Sequence, residues 1–547
     1  MEEKLKAVPV ANATEMRAAG HRPKGVPVGW CQSLQVVGVL LAVVLVLTGC
    51  VPSADSRVGT AYSSGAAAVT TQYKMTTEKP ASITTADRVE TRLGTLTFSD
   101  GFPDDATVQK VYDNLDFQRG VQAFLDSLPA ASFYALRTGI RTFGPDNETV
   151  LITESLLDSR GLVLVANTET VYNFTWLDTK DGPLVIEVPP NVLGFINDFW
   201  ARYVVDLGRA GPDAGQGGKY LLVPPGYEDT LPDGYFVVRS PTFGNLGFFR
   251  GFAVGGDPQQ AVENSKARFR VYPLAQAANP PAMNFVNISG QYFNTILAND
   301  ASLFDQIAVV VAEEPLDSVD PEIRGLLGAI GIRKDQPFAP DARMKEILAD
   351  AAAVGNATAR AIAFSTRDQD AYYYPDSAWK TPFVGGEYTF SPSGVLDPDA
   401  RALFFYLGWG TTPAMAWKIV GIGSQYAYTE HDAAGNYLDG AKTYRLHLPP
   451  NIPAKDFWSV IVYDPQTRTM LQTDQQFPSV NGQKEGLIVN PDGSVDIKFG
   501  PEPRAGKEAN WIQIIPGKRW FVVLRLYGPL EPWFDKTWRP GEIELVP

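Results

Sequence analysis

The sequence predicts an α+β fold that is mainly β, with two β-sandwich, jelly-roll-like domains joined by a helical segment. Three observations support this fold class. The 547 residues are 45% hydrophobic and 20% charged, a composition typical of a globular chain of two or three domains. Short apolar runs with alternating polar residues and Pro-Gly or Asp-Gly turns occur on both sides of a central region. In that central region, residues 293–365, apolar residues recur at helical spacing.

The N-terminal segment is typical of a bacterial lipoprotein signal peptide. Basic residues precede an apolar run, residues 36–47, which is shorter than the roughly twenty residues of a membrane-spanning helix. The run ends in Leu-Thr-Gly-Cys, and Cys50 occupies the position of a lipidated cysteine. We therefore expect an exported protein whose N-terminal lipid anchors it to the cell envelope, at the outer membrane or its periplasmic face in a Gram-negative cell. A plain secretory signal or a short anchor is the alternative, and both Met1 and Met16 are candidate start residues.

Composition along the rest of the chain predicts its organisation. Residues 51–85 are rich in Ser and Thr and contain too few large apolar groups to order themselves, so they predict a tether. The first predicted element is a helix that begins near Asp104 and ends at Pro129. The predicted divisions are a signal peptide (1–49), a tether (50–99), an N-terminal β-rich domain with a leading helix (100–290), a helical linker or insert (291–380) and a C-terminal β-sandwich domain (381–547).

Apolar runs and turn residues predict individual strands. Residues 162–166 predict a buried strand. Residues 172–178 and 184–188, on either side of a Thr-Lys-Asp-Gly turn, predict a β-hairpin. Strands are also predicted at residues 219–223, 235–239, 442–448, 457–463, 486–489, 495–499 and 520–527.

Charge and residue counts exclude several classes of function. The net charge of −14 argues against a nucleic-acid partner, because phosphate binding needs a basic surface. Three His and two Cys exclude a disulfide framework and argue against a zinc site, and no phosphate-binding loop is present. The spacing of Asp432, Asn436 and Asp439 does not match a calcium loop, so a hairpin turn is expected there. We therefore expect no metal and no cofactor.

Several motifs stand out at residues 102–130, 167–172, 176–178, 182–183 and 219–227, and then at residues 457–459, 463–464, 510–511, 524–527 and 538–540. Together they resemble two exported bacterial families of unknown function. In the common form of the first family's motif, Asn-x-Asp-Thr-x-Tyr, this sequence has Glu169 in place of the Asp. The resemblance covers about residues 100–547, to domain-of-unknown-function family 1254 in the N-terminal part and family 1214 in the C-terminal part. It implies two β-sandwich or jelly-roll-like halves with helices between them and no established reaction.

Candidate site residues lie in these motifs. Glu169 and Asp178 are carboxylates near aromatic residues and are candidates for acid–base catalysis; the alternative is that residues 167–169 cap a turn. Arg525 lies in an apolar strand, where its charge is costly unless it is paired with a carboxylate such as Glu169 or Asp464. Tyr463 is the fourth catalytic candidate. The residues predicted to bind a ligand are Asn167, Thr170, Tyr172 and Trp176.

The sequence supports two hypotheses about function. The first is an uncharacterised cell-envelope lipoprotein that binds a small molecule or glycan in an aromatic-lined cleft between the two β-rich domains. The second is a hydrolase or lyase that uses carboxylate, Tyr and Arg groups without a histidine triad. Convergence of Glu169, Asp178, Tyr463 and Arg525 in one pocket would favour a ligand or active site, and separate burial would favour structural roles. Partners are the membrane and the ligand, and the sequence leaves homo-oligomerisation open.

Overall fold

The first described elements form a small sheet. The computed structural model describes residues 74–503 and 505–547, so the predicted signal peptide, Cys50 and most of the predicted tether lie outside the described residues. Strands β1 (Arg88–Thr91), β2 (Gly94–Ser99) and β3 (Phe102–Pro103) form an antiparallel sheet. The prediction that the tether extends to residue 99 is therefore wrong for residues 88–99. A tight turn at Gly94, with φ +84°, lets the half-buried Val89 and Leu96 pair.

A long helix follows this sheet. Helix α1 (Asp105–Arg141) begins at Asp104, whose carboxylate accepts a hydrogen bond from the backbone N–H of Thr107. The prediction that Pro129 ends the helix is wrong, because α1 continues for three more turns beyond it. A proline inside a helix costs about 3 kcal/mol. Burial of apolar residues on both sides of Pro129, including Phe124 and Phe133, offsets this cost.

The N-terminal half contains two larger sheets. The six-stranded sheet has the order β14-β4-β6-β12-β8-β9, and the four-stranded sheet has the order β11-β10-β7-β13. Apolar residues from both sheets form one buried cluster. The elements are β4 (Thr149–Ile152), β5 (Gly161–Leu162), β6 (Thr170–Asp178), β7 (Leu184–Val188), β8 (Val192–Asp198), β9 (Tyr203–Gly208), β10 (Gly218–Val223), β11 (Phe236–Arg239), β12 (Gly244–Phe252), α2 (Gln259–Arg268), β13 (Arg270–Pro273), β14 (Asn284–Asn287) and β15 (Phe293–Asn294).

Two strand predictions in this half are wrong in detail. Strands β6 and β7 do not form a hairpin with each other, because β6 pairs with β4 and β12 while β7 pairs with β10 and β13. The predicted strand at residues 162–166 is reduced to β5, which pairs with β15. Beyond Leu162 the chain turns at Val165, whose φ is +40°. This backbone conformation is strained for a β-branched residue and is typical of functional sites.

Helices connect the two halves. Helix α5 (Ala342–Phe364) is long and apolar enough to cross a membrane. It packs instead against α1 and α6 (Pro398–Leu407), and its buried residues belong to the core. Helices also occur beyond residue 380, at residues 398–407 and 413–416, so the helical segment does not end where it was predicted to end. The elements are α3 (Ser302–Glu313), α4 (Pro321–Ala329), α5 (Ala342–Phe364), α6 (Pro398–Leu407) and α7 (Pro413–Ala416).

The C-terminal half contains two four-stranded sheets. Their orders are β16-β22-β18-β19 and β21-β20-β17-β23, and apolar residues from both sheets form one buried cluster. Residues 486–489 were predicted to form a strand but do not, because the Asn510 side chain bonds both the N–H and the C=O of Ile488. The elements are β16 (Ser424–Thr429), β17 (Thr443–Leu448), β18 (Ala454–Tyr463), β19 (Ser479–Asn481), β20 (Val495–Gly500), β21 (Trp511–Gln513), β22 (Phe521–Pro529), α8 (Glu531–Phe534) and β23 (Ile543–Val546). The described chain is thus a mixed α and β fold made mainly of strands.

Candidate functional site

Two sheet faces, one from each half, border a cavity of about 80 Å³. On the six-stranded sheet, the register places Arg250 of β12 opposite Tyr172 of β6. In the C-terminal half it places Arg525 of β22 opposite Tyr426 of β16. Residues paired in this way share a face of the sheet, so each arginine lies beside a tyrosine at the cavity. The other lining residues are Leu164, Val165, Phe195, Pro382, Phe404, Leu407, Gly408, Trp409, Gly410, Met415, Tyr428, Phe521 and Val523.

Arg525 is held by backbone carbonyls rather than by a carboxylate. Its side chain is 3% exposed, and Nη2 donates to the carbonyl oxygens of Val165 and Ala166 and to the Tyr463 hydroxyl, the last at 2.8 Å. Tyr463 in turn donates to the Ala166 carbonyl at 2.6 Å. The strained turn at Val165 therefore presents two carbonyl groups to Arg525 instead of to a neighbouring strand. Within the part of the chain that the structure describes, Nε of Arg525 has no hydrogen-bond partner.

Arg250 is held more loosely than Arg525. Arg250 is 6% exposed, and its Nη1 donates to the Tyr527 hydroxyl at 3.3 Å, while its Nε has no hydrogen-bond partner among the described residues. The guanidinium carbon lies 5.4 Å from the ring centre of Phe248 and 5.9 Å from that of Tyr172. Cation–π contacts recover part of the cost of burying the charge.

The cavity therefore carries positive charge. Within the described part of the chain, neither Arg250 nor Arg525 forms a salt bridge with a carboxylate. Burial raises the pKa of Tyr172, Tyr463 and Tyr527, so these hydroxyls stay protonated near neutral pH and supply no negative charge. Isolated buried charges of this kind are costly unless a counter-ion joins them.

A small annex beside Arg250 holds a titratable carboxyl group. Asp206 of β9 and Arg250 both border this annex of about 10 Å³, which has room for about one water molecule. The annex and the main cavity share Phe195, Arg250 and Met415. The Thr412 hydroxyl donates to Oδ1 of Asp206 at 2.5 Å. Burial raises the pKa of Asp206 to about 7, against the lowering effect of this hydrogen bond.

The predicted motif organises the wall beside Arg525. Oδ1 of Asn167 accepts hydrogen bonds from the N–H groups of Glu169 and Thr170 and from the Thr170 hydroxyl. Nδ2 of Asn167 donates to the Tyr527 hydroxyl, and the backbone N–H of Asn167 donates to the Tyr172 hydroxyl at 3.0 Å. Asn167 thus joins the two halves, Thr170 bonds to Asn167, and of the four predicted ligand-binding residues Tyr172 borders the cavity.

The four catalytic candidates converge only in part. Tyr463 and Arg525 are in contact, and the Arg525 charge lowers the pKa of Glu169 against a larger rise caused by burial. The Glu169 carboxylate bonds to the hydroxyl and N–H of Thr168 and borders a different opening. Asp178 lies at the far end of β6, where its N–H and C=O bond to the Asn147 side chain.

Other predicted residues have structural contacts. Trp176 packs edge-on against Phe133 and Phe199 in the core, away from the cavity. Asp464, one proposed partner of Arg525, instead pairs with Lys518. Oδ1 of Asp432 accepts from the N–H groups of Ala434 and Asn436, as in the expected turn.

Sequence reasoning missed Arg250 and Asp206. Arg250 gives the same signal as Arg525, a single charge in an apolar stretch, residues 244–252. Asp206 follows two valines and precedes Leu207, which is again a charge in an apolar run. The signal was present at both positions, but the pairing of β12 with β6, which brings Arg250 to Tyr172, cannot be read from spacing.

Comparisons with known proteins match the family resemblance. Residues 147–273 match the model described as "Protein of unknown function (DUF1254)", and residues 423–531 match "Protein of unknown function (DUF1214)". The order of the two regions is the order expected from the motifs. No curated protein matches the sequence.

Two solved structures are similar to this chain. The VPA0106 protein from Vibrio parahaemolyticus is 17% identical, with a TM-score of 0.49, and the match covers 79% of this chain and 100% of that one. An uncharacterized protein from Burkholderia cenocepacia is 13% identical, with a TM-score of 0.37, and the match covers 80% of this chain and 96% of that one.

Proposed function

We propose that this chain, which carries a DUF1254 region followed by a DUF1214 region, binds a small organic anion in the cavity between its two halves. One observation carries the proposal: Arg250 and Arg525 are buried at an aromatic-lined cavity without a carboxylate partner. A carboxylate with an apolar body would satisfy the guanidinium groups and place its apolar part among the aromatic rings. The apolar lining favours such a ligand over a glycan at this site.

The experiment measures binding of benzoate, octanoate and inorganic phosphate by thermal shift and calorimetry. Benzoate or octanoate is expected to raise the melting temperature of the full chain, and phosphate, which lacks an apolar body, to raise it less. Arg250→Met is expected to weaken carboxylate binding roughly 10- to 100-fold, because it removes a charge-assisted contact. Absence of any shift with either carboxylate would refute the proposal.

Arg468→Met is the matched control. The Arg468 side chain is fully buried, donates within the described residues to the carbonyls of Tyr406 and Gln466, and does not border the cavity. Its loss is expected to leave carboxylate affinity unchanged. Equal loss of binding in Arg250→Met and Arg468→Met would show that buried arginines matter here only for folding.

A second candidate function, a hydrolase or lyase, rests on Asp206. A carboxyl group with a pKa near 7 beside a ligand cavity suits general acid–base catalysis at neutral pH. The test is turnover of nitrophenyl esters of acetate and butyrate. Loss of turnover in Asp206→Asn, with benzoate affinity retained, would favour this candidate; no turnover in the wild type would remove it.

We also propose the finer architecture and the location of the chain. In each half, two sheets share one apolar cluster, which supports a β-sandwich of jelly-roll type. The Leu-Thr-Gly-Cys sequence that ends at Cys50, directly after the apolar run, supports lipid anchoring to the cell envelope.

A further inference from the structure

A second opening lies on the other side of the motif at residues 167–172. This cleft of about 400 Å³ is within the usual range for ligand pockets of roughly 300–1,000 Å³. Leu156, Thr168 and Glu169 line one wall, residue 253 and the glycine pair at residues 255–256 a second, and eight residues between 475 and 485 the rest. The glycine pair has φ angles of +62° and +88°, so a bare backbone forms that wall and leaves the cleft open.

Three charged side chains of both signs line the cleft, namely Glu169, Lys484 and the exposed Glu485. Glu169 is 4% exposed, and burial raises the pKa of its carboxyl group. Lys484 donates only to the Ser479 carbonyl, at 3.4 Å, and burial lowers the pKa of its amine. No salt bridge joins Glu169 or Lys484 to another residue in the described chain. The cleft therefore does not complement a ligand of high net charge.

The remaining polar groups are amides and hydroxyls. Within the described residues, the side-chain amides of Gln476 and Gln483 make no hydrogen bond, so each offers two donors and an acceptor to a ligand. The hydroxyls of Thr168 and Ser479 bond to each other at 2.8 Å and lie at the same cleft. Phe477 adds one half-buried aromatic ring.

From this arrangement we infer that the cleft binds a neutral saccharide. Sugar hydroxyls both donate and accept, which matches amides that do the same, and the apolar C–H face of a sugar packs on an aromatic ring. Glu169, which already accepts hydrogen bonds from the Thr168 hydroxyl and N–H, and Lys484, whose bond to the Ser479 carbonyl is long, supply one acid and one amine that can bond a sugar hydroxyl. This site is independent of the anion cavity, although residues 167–172 contribute to both.

The experiment is saturation-transfer NMR of the purified full chain with glucose, galactose, mannose and N-acetylglucosamine at millimolar concentration. At least one saccharide is expected to receive saturation. The double variant Gln476→Ala, Gln483→Ala is expected to weaken that binding about tenfold, because two hydrogen bonds are lost. The melting temperature of this double variant should not change, since neither amide makes a hydrogen bond to the described residues.

Arg250→Met separates the two proposals. It is expected to keep saccharide binding and lose carboxylate binding, while the double glutamine variant does the opposite. No transfer to any of the four sugars, or equal transfer to the wild type and the double variant, would overturn the saccharide site and leave the anion site standing.

Discussion

Arg250 carries a full positive charge into a sheet face, and the hydrogen bond that it donates to the Tyr527 hydroxyl is long, at 3.3 Å. A buried charge in this position lowers the free energy of unfolding, which is explained if the charge serves a function. Arg525 differs, because its guanidinium group satisfies the Val165 and Ala166 carbonyls and its removal would leave them unpaired.

The first prediction therefore concerns stability without ligand. Arg250→Met should leave the free energy of unfolding unchanged or raise it by about 1 kcal/mol, since an unpaired buried charge is replaced by an apolar chain. Arg525→Met should lower it by about 1–3 kcal/mol, because the two carbonyls lose their donor. Urea unfolding measures both. A loss above about 2 kcal/mol in Arg250→Met would mean that its role is structural.

Asp206 predicts a pH dependence of stability. Its pKa is about 7 when folded against a usual 3.8, so the folded chain binds the proton more tightly. The stability that this contributes is complete below pH 3.8 and is lost as pH rises through about 7. Burial likewise raises the pKa of Glu314 to about 7. Wild-type stability should therefore fall from pH 4.5 to 8, by an amount on the order of 3–4 kcal/mol for each group.

Two variants measure how much Asp206 and Glu314 each contribute to this loss of stability. Asp206→Asn and Glu314→Gln each keep a neutral side chain and should each remove about half of the slope, measured as urea unfolding at several pH values. A slope that is unchanged in Asp206→Asn would show that this carboxyl group is already ionised in the folded chain.

Residues of the site were predictable where the sequence itself shows an energetic conflict. Arg525 was identified because an apolar strand surrounds it, and Arg250 shows the same conflict. The partners were not predictable: Glu169 and Asp464 are reasonable counter-ions by charge, yet Glu169 bonds to Thr168 and Asp464 to Lys518. Pairing of groups distant in sequence is decided by tertiary packing, which spacing does not encode.

Helices α1 and α5 pack unusually closely at two glycines. A Cβ atom at Gly355 would lie 2.8 Å from the Phe124 ring, and one at Gly120 would lie 2.7 Å from Cβ of Ala351. These glycines sit inside helices, where they cost about 1 kcal/mol relative to alanine. Close approach of the two helices explains their presence.

The element-scale prediction follows from this contact. Gly355→Ala should lower the free energy of unfolding by about 1–3 kcal/mol, because the overlap with Phe124 outweighs the gain in helix propensity. Gly325→Ala in α4 is the control, since nothing lies within 4 Å of its Cβ position and a small gain is expected. Thermal unfolding compares them. Stabilisation by both substitutions would contradict the close packing of α1 and α5.

Local periodicity predicted most helices and strands but not how they pair. The helices at 302–364 and strands such as β17, β18, β20 and β22 lie close to the predicted positions. The errors are of another kind: α1 passes through Pro129, β6 and β7 join different sheets, and residues 163–166 leave the strand to meet Arg525. In each case a contact with a distant residue overrides the local signal.

At the scale of the whole molecule, residues 80–547 form one compact unit. The proposed anchor lies outside the described residues, at Cys50. Cys50→Ala should release the protein from membrane fractions and abolish palmitate labelling, since no other cysteine follows the signal segment. Cell fractionation with radiolabelled palmitate measures both. Palmitate labelling that persists in Cys50→Ala would rule out Cys50 as the lipidated residue.

The hydrogen bonds from Arg525 to Val165 and from Asn167 to Tyr527 each join residues 360 positions apart. Contacts this distant form late, because the chain must close a very long loop. At a synthesis rate of about 5–20 residues per second, Val165 leaves the ribosome on the order of 20–70 s before Arg525 exists. The cavity is therefore closed by nearly the last segment to be made. A chain that stops short of β22 has Arg250 but lacks Phe521, Val523 and Arg525, so premature termination leaves the cavity open on that side and with one of its two arginines.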